Sequence, residues 1–220
     1  MLKVEVGVLA LGSHQERHGA ALPLDTDARI AEYIAREAVK RTGVNFLGVL
    51  QSSYELPCIK TGKHQSLGEL AEELKDVIRD AKSEGIEGIV LVNAHGGNEK
   101  LEERLTEIEN KLKVNLIFNS TICKIEGPHS GTGEVSIGAV LGFADKSRLK
   151  EHTSFERYPE VGFVGFEELR ERYPWAEKHA REVLDRGIEV DESLGRGLLN
   201  EAIADVVNDT QRLSGQDDLR

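Results

Sequence analysis

Short apolar runs alternate with stretches of helical periodicity along most of this 220-residue chain. Apolar runs of this kind are typical of strands that are buried on both faces. The four predicted strands are Lys3 to Leu11, Asn45 to Leu50, Gly88 to Asn93 and Val114 to Ser120. Strands that alternate with helices predict an α/β fold, with a mostly parallel sheet and helices packed on its faces.

The most regular helical pattern lies between the second and third predicted strands, where apolar residues recur at helical spacing from Leu67 to Ala81. Ser66 and Glu69 are placed to form a capping box, and Gly85 is a suitable stop signal. Three further helices are predicted, from Asp27 to about Lys40, from Leu101 to Leu112 and from Leu198 to Val207.

The segment from Lys146 to Pro174 breaks this order. Charged residues alternate there with Tyr, Phe and short runs such as "VGFVGF", so no single period persists. We interpret the segment as an excursion from the sheet, which could be a lid, an oligomer contact or an irregular surface connection.

Composition narrows the class of protein. Hydrophobic residues make up 39% of the chain and charged residues 30%, which suits one compact domain over residues 1–220. The formal net charge of -11 argues against nucleic acid or an anionic membrane as the main partner. No run approaches the roughly 20 apolar residues of a membrane span, and no signal-peptide pattern is present, so we expect a cytoplasmic protein.

Three polar segments follow predicted strands. "GSHQERHGAALPLDTD" (12–27) follows the first strand, "NAHGGNEK" (93–100) the third and "GPHSGTGEVS" (127–136) the fourth. Because ligands bind outside the carboxyl ends of parallel strands, we expect these three segments to meet at one edge of the sheet.

The residue types in these segments suit a pair of divalent cations. Imidazole binds zinc and iron, and a carboxylate can bridge two metals. A cysteine-based site is not indicated, because Cys58 and Cys123 are far apart and form no C-x-x-C pair. A single loop His is more often a structural or surface residue, so the prediction rests on the joint pattern.

Two of the segments resemble known metal-binding signatures. "ERHGAALPLDTD" (16–27) resembles the signature E-x-H-G-x-x-L-P-x-x-T-D of the creatininase family, and "NAHGGN" (93–98) resembles the second signature of that family. "HSGTGE" (129–134) is similar to a third family segment, in which a His precedes a Glu by five residues. The resemblance implies a metal-dependent amidohydrolase with a three-layer α/β/α, creatininase-like fold.

The resemblance also implies a role for each matching residue. Glu16 and His95 would bind one metal, and His18 would bind the other. Asp27 would bridge the two ions. Glu134 would be either a further ligand or a proton carrier.

One position departs from the pattern of creatininase itself. That enzyme has a Glu two residues beyond the counterpart of His95, where this chain has Gly97. The departure makes creatinine a poor candidate substrate. It also leaves the second metal without one of its ligands, and Glu134 would take the place of that ligand. Glu134 or His129 would also protonate the departing amine.

A finer resemblance concerns the spacing before Glu16. "ALGSHQERHGAALPLDTD", with two residues between Ser13 and Glu16, and the later "TGKHQSLGEL" most resemble an archaeal branch of the family. Members of that branch release formate from a formylaminopyrimidine ribosyl monophosphate on the route to riboflavin and the deazaflavin coenzyme. The resemblance implies the same reaction with two divalent ions, iron(II) first and zinc or manganese as alternatives. The competing hypotheses are a family hydrolase of cyclic amides or short peptides, and a non-catalytic metal-binding protein.

Three residues are predicted to contact a nucleotide-like substrate, namely His64, Lys63 and Asn98. Lys60 and Lys63 flank His64 and could meet a phosphate, although a solvated basic loop is the alternative. Asn98 could instead cap the helix that follows it.

Two expectations concern the surface of the protein. His152 and His179 lie in polar sequence contexts, and we interpret both as surface residues. The family resemblance implies a homodimer or a higher homo-oligomer.

Overall fold

The computed structural model describes residues 4–215. Residues 1–3, including Lys3 at the start of the first predicted strand, and residues 216–220 lie outside the described part of the chain. Four strands form one sheet: β1 (Val6–Leu11), β2 (Asn45–Leu50), β3 (Gly88–Asn93) and β4 (Asn115–Asn119). They lie in the order β2-β1-β3-β4, and every neighbouring pair is parallel. The predicted parallel sheet is confirmed; β2 and β3 have the predicted ends, whereas β1 and β4 are shorter than predicted.

Strands β1, β3 and β4 end at the same edge of the sheet. Leu11 pairs with Asn93 at the last position of β1 and β3, and Val92 pairs with Asn119 in β4. The segments that follow these strands therefore start side by side, which is the condition that the predicted site requires.

The described residues contain nine α-helices: α1 (Thr26–Thr42), α2 (Leu67–Ser83), α3 (Glu102–Leu112), α4 (Thr121–Ile125), α5 (Thr132–Leu141), α6 (Leu149–His152), α7 (Glu167–Arg172), α8 (Pro174–Arg186) and α9 (Glu192–Leu213). The four predicted helices correspond to α1, α2, α3 and α9. Helix α2 has the predicted capping box, since the Ser66 hydroxyl accepts from the Glu69 N–H and the Glu69 carboxylate accepts from the Ser66 N–H. Among the described residues, no helix combines the length and apolar character needed to span a bilayer.

Helices cover both faces of the sheet. Val8 and Val90 point to one face and pack in a core with side chains of α1 and α9, including Ile34. Leu9 and Leu91 point to the opposite face and pack with α2 and α3. Consecutive strand residues point to opposite faces, and both cores are apolar, so the strands are almost continuously hydrophobic. The three-layer α/β/α fold is thereby confirmed.

The excursion between α5 and α8 forms short helices and turns. A single 3-10 turn (Val161–Phe163) lies between α6 and α7. The interpretation of this segment as a mere surface connection is wrong, because Val161 and Leu169 are buried and the Gly162 N–H donates to the carbonyl of His129 at 2.8 Å. The excursion therefore packs on a segment that carries the candidate site.

Candidate metal centre

Six acidic and imidazole side chains meet at the carboxyl edge of the sheet. The segment after β1 and the first turn of α1 supply three of them, the end of β3 supplies one and the region around the start of α5 supplies two: Glu16, His18, Asp27, His95, His129 and Glu134. Five of the six residues are buried, and His129 is intermediate. The structure thus brings together every residue for which the family resemblance implies a metal-binding or proton-carrying role.

Asp27 lies at the middle of this cluster. Its Oδ1 is 2.8 Å from Nε2 of His18, and its Oδ2 is 2.9 Å from Nδ1 of His95. The two oxygens of one carboxylate therefore face two different imidazoles. This is the arrangement that a carboxylate bridging two cations requires.

The groups divide into two sets around Asp27. In the first set, Nδ1 of His95 lies 2.7 Å from Oε2 of Glu16. In the second set, Nε2 of His18 lies 3.6 Å from Oε2 of Glu134. His129 adjoins the second set, and one ligand atom each of His18, His129 and Glu134 lies within 4.8 Å of the others. We call these sets the Glu16 pole and the Glu134 pole.

Backbone carbonyls orient all three imidazoles. A ring N–H of His18 donates to the carbonyl of Glu16 at 3.0 Å, and a ring N–H of His129 donates to that of Arg17 at 3.0 Å. His95 uses Nε2 in the same way, toward the carbonyl of Tyr54 at 2.8 Å. In each ring the other nitrogen faces the carboxylates. A backbone carbonyl that accepts a hydrogen bond from one ring nitrogen, and so fixes the tautomer of the ring, is characteristic of metal-binding histidines.

Burial and opposite charges shift the pKa values of these side chains. Burial disfavours the charged form of His18, but the Asp27 and Glu134 carboxylates outweigh burial and raise the pKa of His18 to about 10. Burial raises the pKa of Glu134 to about 8 and lowers the pKa of His129 to about 4. For Glu16, the neighbouring imidazoles overcome burial and hold the pKa well below its usual value.

The donor set fits divalent cations. Oε2 of Glu134 is buried without a hydrogen-bond partner, and Oε2 of Glu16 is buried against Nδ1 of His95 at 2.7 Å. Protons on His18 and His95 balance the carboxylates in this structure, and these protons occupy the ring nitrogens that would bind a metal. Two cations between the poles would replace those protons, and these carboxylate oxygens would be among their ligands.

A second layer of side chains supports Glu16. The hydroxyl of Thr61 lies between Oε1 of Glu16, at 2.9 Å, and Oε1 of Glu55. Burial, together with the negative charge of Glu16, raises the pKa of Glu55, and the Thr61 hydroxyl separates the two carboxyl groups. Neither Thr61 nor Glu55 could be predicted from the sequence, since neither lies in a metal-binding motif.

A cavity of about 320 Å³ opens onto the centre. Its lining includes Asp27, residues of both poles and an aromatic wall of Phe163, Trp175 and His179, which the excursion and α8 supply. Lys124, at α4, is the one Lys or Arg side chain among residues 4–215 that lines this cavity. Trp175 is the single tryptophan of the chain, which was the only sequence signal for this wall.

The three predicted substrate contacts lie behind or beside the cavity. His64 stacks on His95 at a ring distance of 5.4 Å, and Asn98 is buried, with its Oδ1 accepting from the Tyr54 N–H at 2.9 Å. The Lys63 side chain is exposed, and none of the three residues is in the cavity lining. Their contact with substrate stays a prediction.

The prediction that His152 and His179 are surface residues is wrong for His152, which has no exposed surface. Its ring lies between the segments that carry His18 and His129, because the excursion folds back over them. His179 is partly exposed and lines the cavity. Both side chains belong to the excursion and α8, where the sequence pattern is too irregular to predict burial.

A parallel sheet whose strand ends hold a shared carboxylate, paired imidazoles and an open cavity defines a metal-dependent hydrolase of the α/β/α class. The family model described as "Creatininase: Creatinine amidohydrolase" matches residues 2–208. The chain therefore belongs to the creatininase family.

Relatives and solved structures agree with this assignment. A protein of Methanothermobacter thermautotrophicus named 2-amino-5-formylamino-6-ribosylaminopyrimidin-4(3H)-one 5'-monophosphate deformylase is 46% identical, and the match covers 94% of this chain and 89% of the relative. A protein of the same name from Methanothermobacter marburgensis is 47% identical, and the match covers 94% and 90%. The crystal structure of a putative creatinine amidohydrolase from Bacteroides fragilis superposes with a TM-score of 0.70 at 16% identity, over 100% of this chain and 93% of that one. At that identity the structural match shows the fold alone.

Proposed function

We propose that this protein is a metal-dependent deformylase that hydrolyses the formamide of 2-amino-5-formylamino-6-ribosylaminopyrimidin-4(3H)-one 5'-monophosphate, on the route to riboflavin and the deazaflavin coenzyme. The relatives that carry this name match nearly the whole chain at 46% and 47% identity. The observation that carries the proposal is the Asp27 carboxylate, which faces His18 and His95 with separate oxygens at the floor of an open cavity. A closed structural metal site would not need that access.

The proposed cofactor is a pair of divalent ions, with Glu16, His95 and Asp27 at one ion and His18, Asp27 and Glu134 at the other. Solved structures of creatininase, which has the same fold, include a Zn-Zn type and a Mn form. We propose iron(II) as the native ion and zinc or manganese as substitutes, because mixed imidazole and carboxylate ligands accept all three. Bound in this way, divalent ions supply Lewis acidity, which lowers the pKa of water toward about 7 and polarises a carbonyl oxygen.

The chain itself supplies the proton transfer. His129 is neutral, and its Nε2–H is held by the carbonyl of Arg17, so Nδ1 is free to accept a proton. That nitrogen lies 3.9 Å from Oε1 of Glu134, while Oε2 of the same carboxyl faces His18. Glu134 would therefore serve the metal with one oxygen, and its other oxygen would exchange a proton with His129 through a bridging water or after the 3.9 Å gap closes to hydrogen-bond length. The leaving amine of a formamide needs such a proton, because the unprotonated amide anion is a poor leaving group.

The cavity walls provide a place for the rest of the substrate. Phe163 and Trp175 offer aromatic faces suited to a pyrimidine ring, and they contact each other edge to face at 5.6 Å. Lys124 offers the positive charge that a 5'-phosphate requires, whereas the other ionisable groups at the centre are mostly acidic. We propose Lys124 as a phosphate contact alongside the predicted Lys63.

Formate release tests the function directly. Protein prepared anaerobically and reconstituted with ferrous iron should release one formate per formylaminopyrimidine nucleotide consumed, and should leave creatinine intact. The same preparation is assayed against cyclic amides and short peptides under identical conditions. Faster turnover of creatinine or of a peptide would overturn the proposed substrate, and no turnover of any amide with two metals bound would favour a non-catalytic role.

The assembly and location of the protein are also proposals. We propose a homodimer or a higher homo-oligomer that acts in the cytoplasm as a single amidohydrolase domain. Light scattering coupled to size-exclusion chromatography measures the assembly, and a monomeric mass at micromolar concentration would contradict it.

A further inference from the structure

His152 occupies a buried position between two segments of the metal centre. Its Nδ1 accepts a hydrogen bond from the Ala21 N–H at 3.1 Å, and Ala21 follows His18 by three residues. Its Nε2 donates to the carbonyl of Ser130 at 2.8 Å, and Ser130 is the neighbour of His129. One side chain thus joins the segment after β1 to the segment that precedes α5.

The hydrogen bonds determine the state of the ring. Because a backbone N–H can only donate, Nδ1 of His152 must carry no proton, and the ring proton lies on Nε2. The imidazole is therefore neutral and has no nitrogen left for a metal or a substrate. His152 differs in this respect from His18 and His129, each of which keeps one nitrogen directed at the centre.

The His152 ring is closely packed against both segments that it joins. A side chain on Gly19 would meet the His152 ring at 2.4 Å, so the segment after β1 packs directly against it. Ser130 has a φ of 54°, a left-handed conformation that is uncommon for a residue other than glycine. The bond from His152 to the Ser130 carbonyl holds this unfavourable conformation next to His129.

We propose that His152 is a positioning residue for the Glu134 pole: it sets the separation of the segments that carry His18 and His129, and so assembles the second cation site. The Glu16 pole depends on it less, since the carbonyl of Tyr54, which lies outside the two segments that His152 joins, orients His95. The inference rests on the proposed two-metal function, but it concerns metal binding and not the identity of the substrate.

Titration of the metal-free protein with Mn²⁺ alone, followed by the electron paramagnetic resonance signal of free Mn²⁺, tests this role. Wild-type protein should bind two equivalents. His152→Ala should weaken one equivalent by roughly 10- to 100-fold, the usual effect of removing a supporting partner of a metal ligand, and leave the other unchanged. Lys150→Ala is the matched control, because Lys150 lies exposed on the same short helix, and it should match the wild type.

Two conservative variants separate the two hydrogen bonds. The Oδ1 atom of His152→Asn can accept from Ala21, and the amide of His152→Gln can donate to Ser130, so each variant should restore part of the lost affinity. They also provide the test if His152→Ala does not fold, in which case both should still bind the second equivalent more weakly than wild type.

A merely structural role for His152 would lower the melting temperature without separating the two affinities. Equal weakening of both equivalents, or wild-type binding of both in all folded variants, would overturn the proposal. The formate assay distinguishes a failure of the proposed function: two Mn²⁺ bound with the expected split, but no deformylation, would reject the substrate and retain the positioning role.

Discussion

The backbone carbonyl of Tyr54 fills the space into which a side chain on Gly97 would project, with its oxygen only 2.0 Å from the position of a Cβ. The same carbonyl accepts the hydrogen bond that orients His95. The Glu that the sequence comparison with creatininase would place at this position cannot be accommodated here unless the Tyr54 carbonyl moves. Gly97 provides no side chain that could bind a metal, but its lack of a Cβ lets the Tyr54 carbonyl approach and orient His95.

Gly97→Ala is therefore expected to damage the Glu16 pole. The added methyl must displace the Tyr54 carbonyl, which overpacks the site at a cost of about 1–3 kcal/mol and turns the His95 ring. We expect a lower melting temperature and weaker binding of one Mn²⁺ equivalent, measured by thermal unfolding and metal titration.

The adjacent glycine provides a control for that experiment. A Cβ on Gly96 meets nothing within 4 Å, so Gly96→Ala should leave metal binding and stability close to wild type. Equal effects of the two substitutions would show that the Tyr54 carbonyl is not the cause.

The central position of Asp27 predicts an asymmetric response to removal of ligands. Asp27→Ala should abolish binding of both ions, because each of its oxygens faces a different pole. His18→Ala and Glu16→Ala should each weaken mainly one. Metal content after gel filtration measures the difference, and full metal content in Asp27→Ala would reject the two-metal assignment.

Metal binding should release protons. His18 is protonated at neutral pH because its pKa is raised to about 10, and a metal must displace that proton from Nε2. Affinity should accordingly rise with pH up to about 10. Calorimetry in two buffers of different ionisation enthalpy measures the protons released, and His18→Ala should reduce their number. A binding heat that is the same in both buffers would show that no protons are released, and would contradict the protonation of His18 in the metal-free protein.

The sequence predicted the sheet and the meeting of the six acidic and imidazole side chains at its carboxyl edge, because both leave strong local signals; their role as metal ligands stays a prediction. Parallel buried strands are continuous apolar runs, and the residues that follow β1 and β3 form a dense motif. The supports of the imidazoles could not be predicted in the same way, since the carbonyls of Arg17 and Tyr54 act through the backbone and leave no side-chain signature. The burial of His152 leaves no sequence pattern, because burial in an irregular segment depends on tertiary packing and not on periodicity.

Glu134→Gln should preserve the fold and lose most of the turnover. An amide keeps the shape of the carboxyl group but cannot carry the proton exchanged with His129, and it is a weaker metal ligand. Comparing kcat with the number of bound ions separates these contributions. A large loss of kcat with two ions still bound assigns Glu134 to proton transfer, whereas loss of one ion shows that Glu134 is a metal ligand. Unchanged turnover would remove Glu134 from the mechanism.

The last prediction compares two lysines as the contact for the substrate phosphate. Lys124 lines the cavity, whereas Lys63 is exposed outside its lining. A hydrogen bond to a charged group contributes about 1.5 to 3 kcal/mol, so Lys124→Gln should raise KM for the nucleotide by roughly 10- to 150-fold with little change in kcat. Lys63→Gln should have a much smaller effect.

The dephosphorylated nucleoside is the matched substrate control for this comparison. Wild-type protein should bind it as weakly as Lys124→Gln binds the nucleotide, and Lys124→Gln should show no further loss, because the charge that the lysine would meet is absent. A larger effect of Lys63→Gln than of Lys124→Gln would move the phosphate to the loop before His64. Equal losses with both substrates would show that Lys124 acts on the shape of the cavity and not on the phosphate.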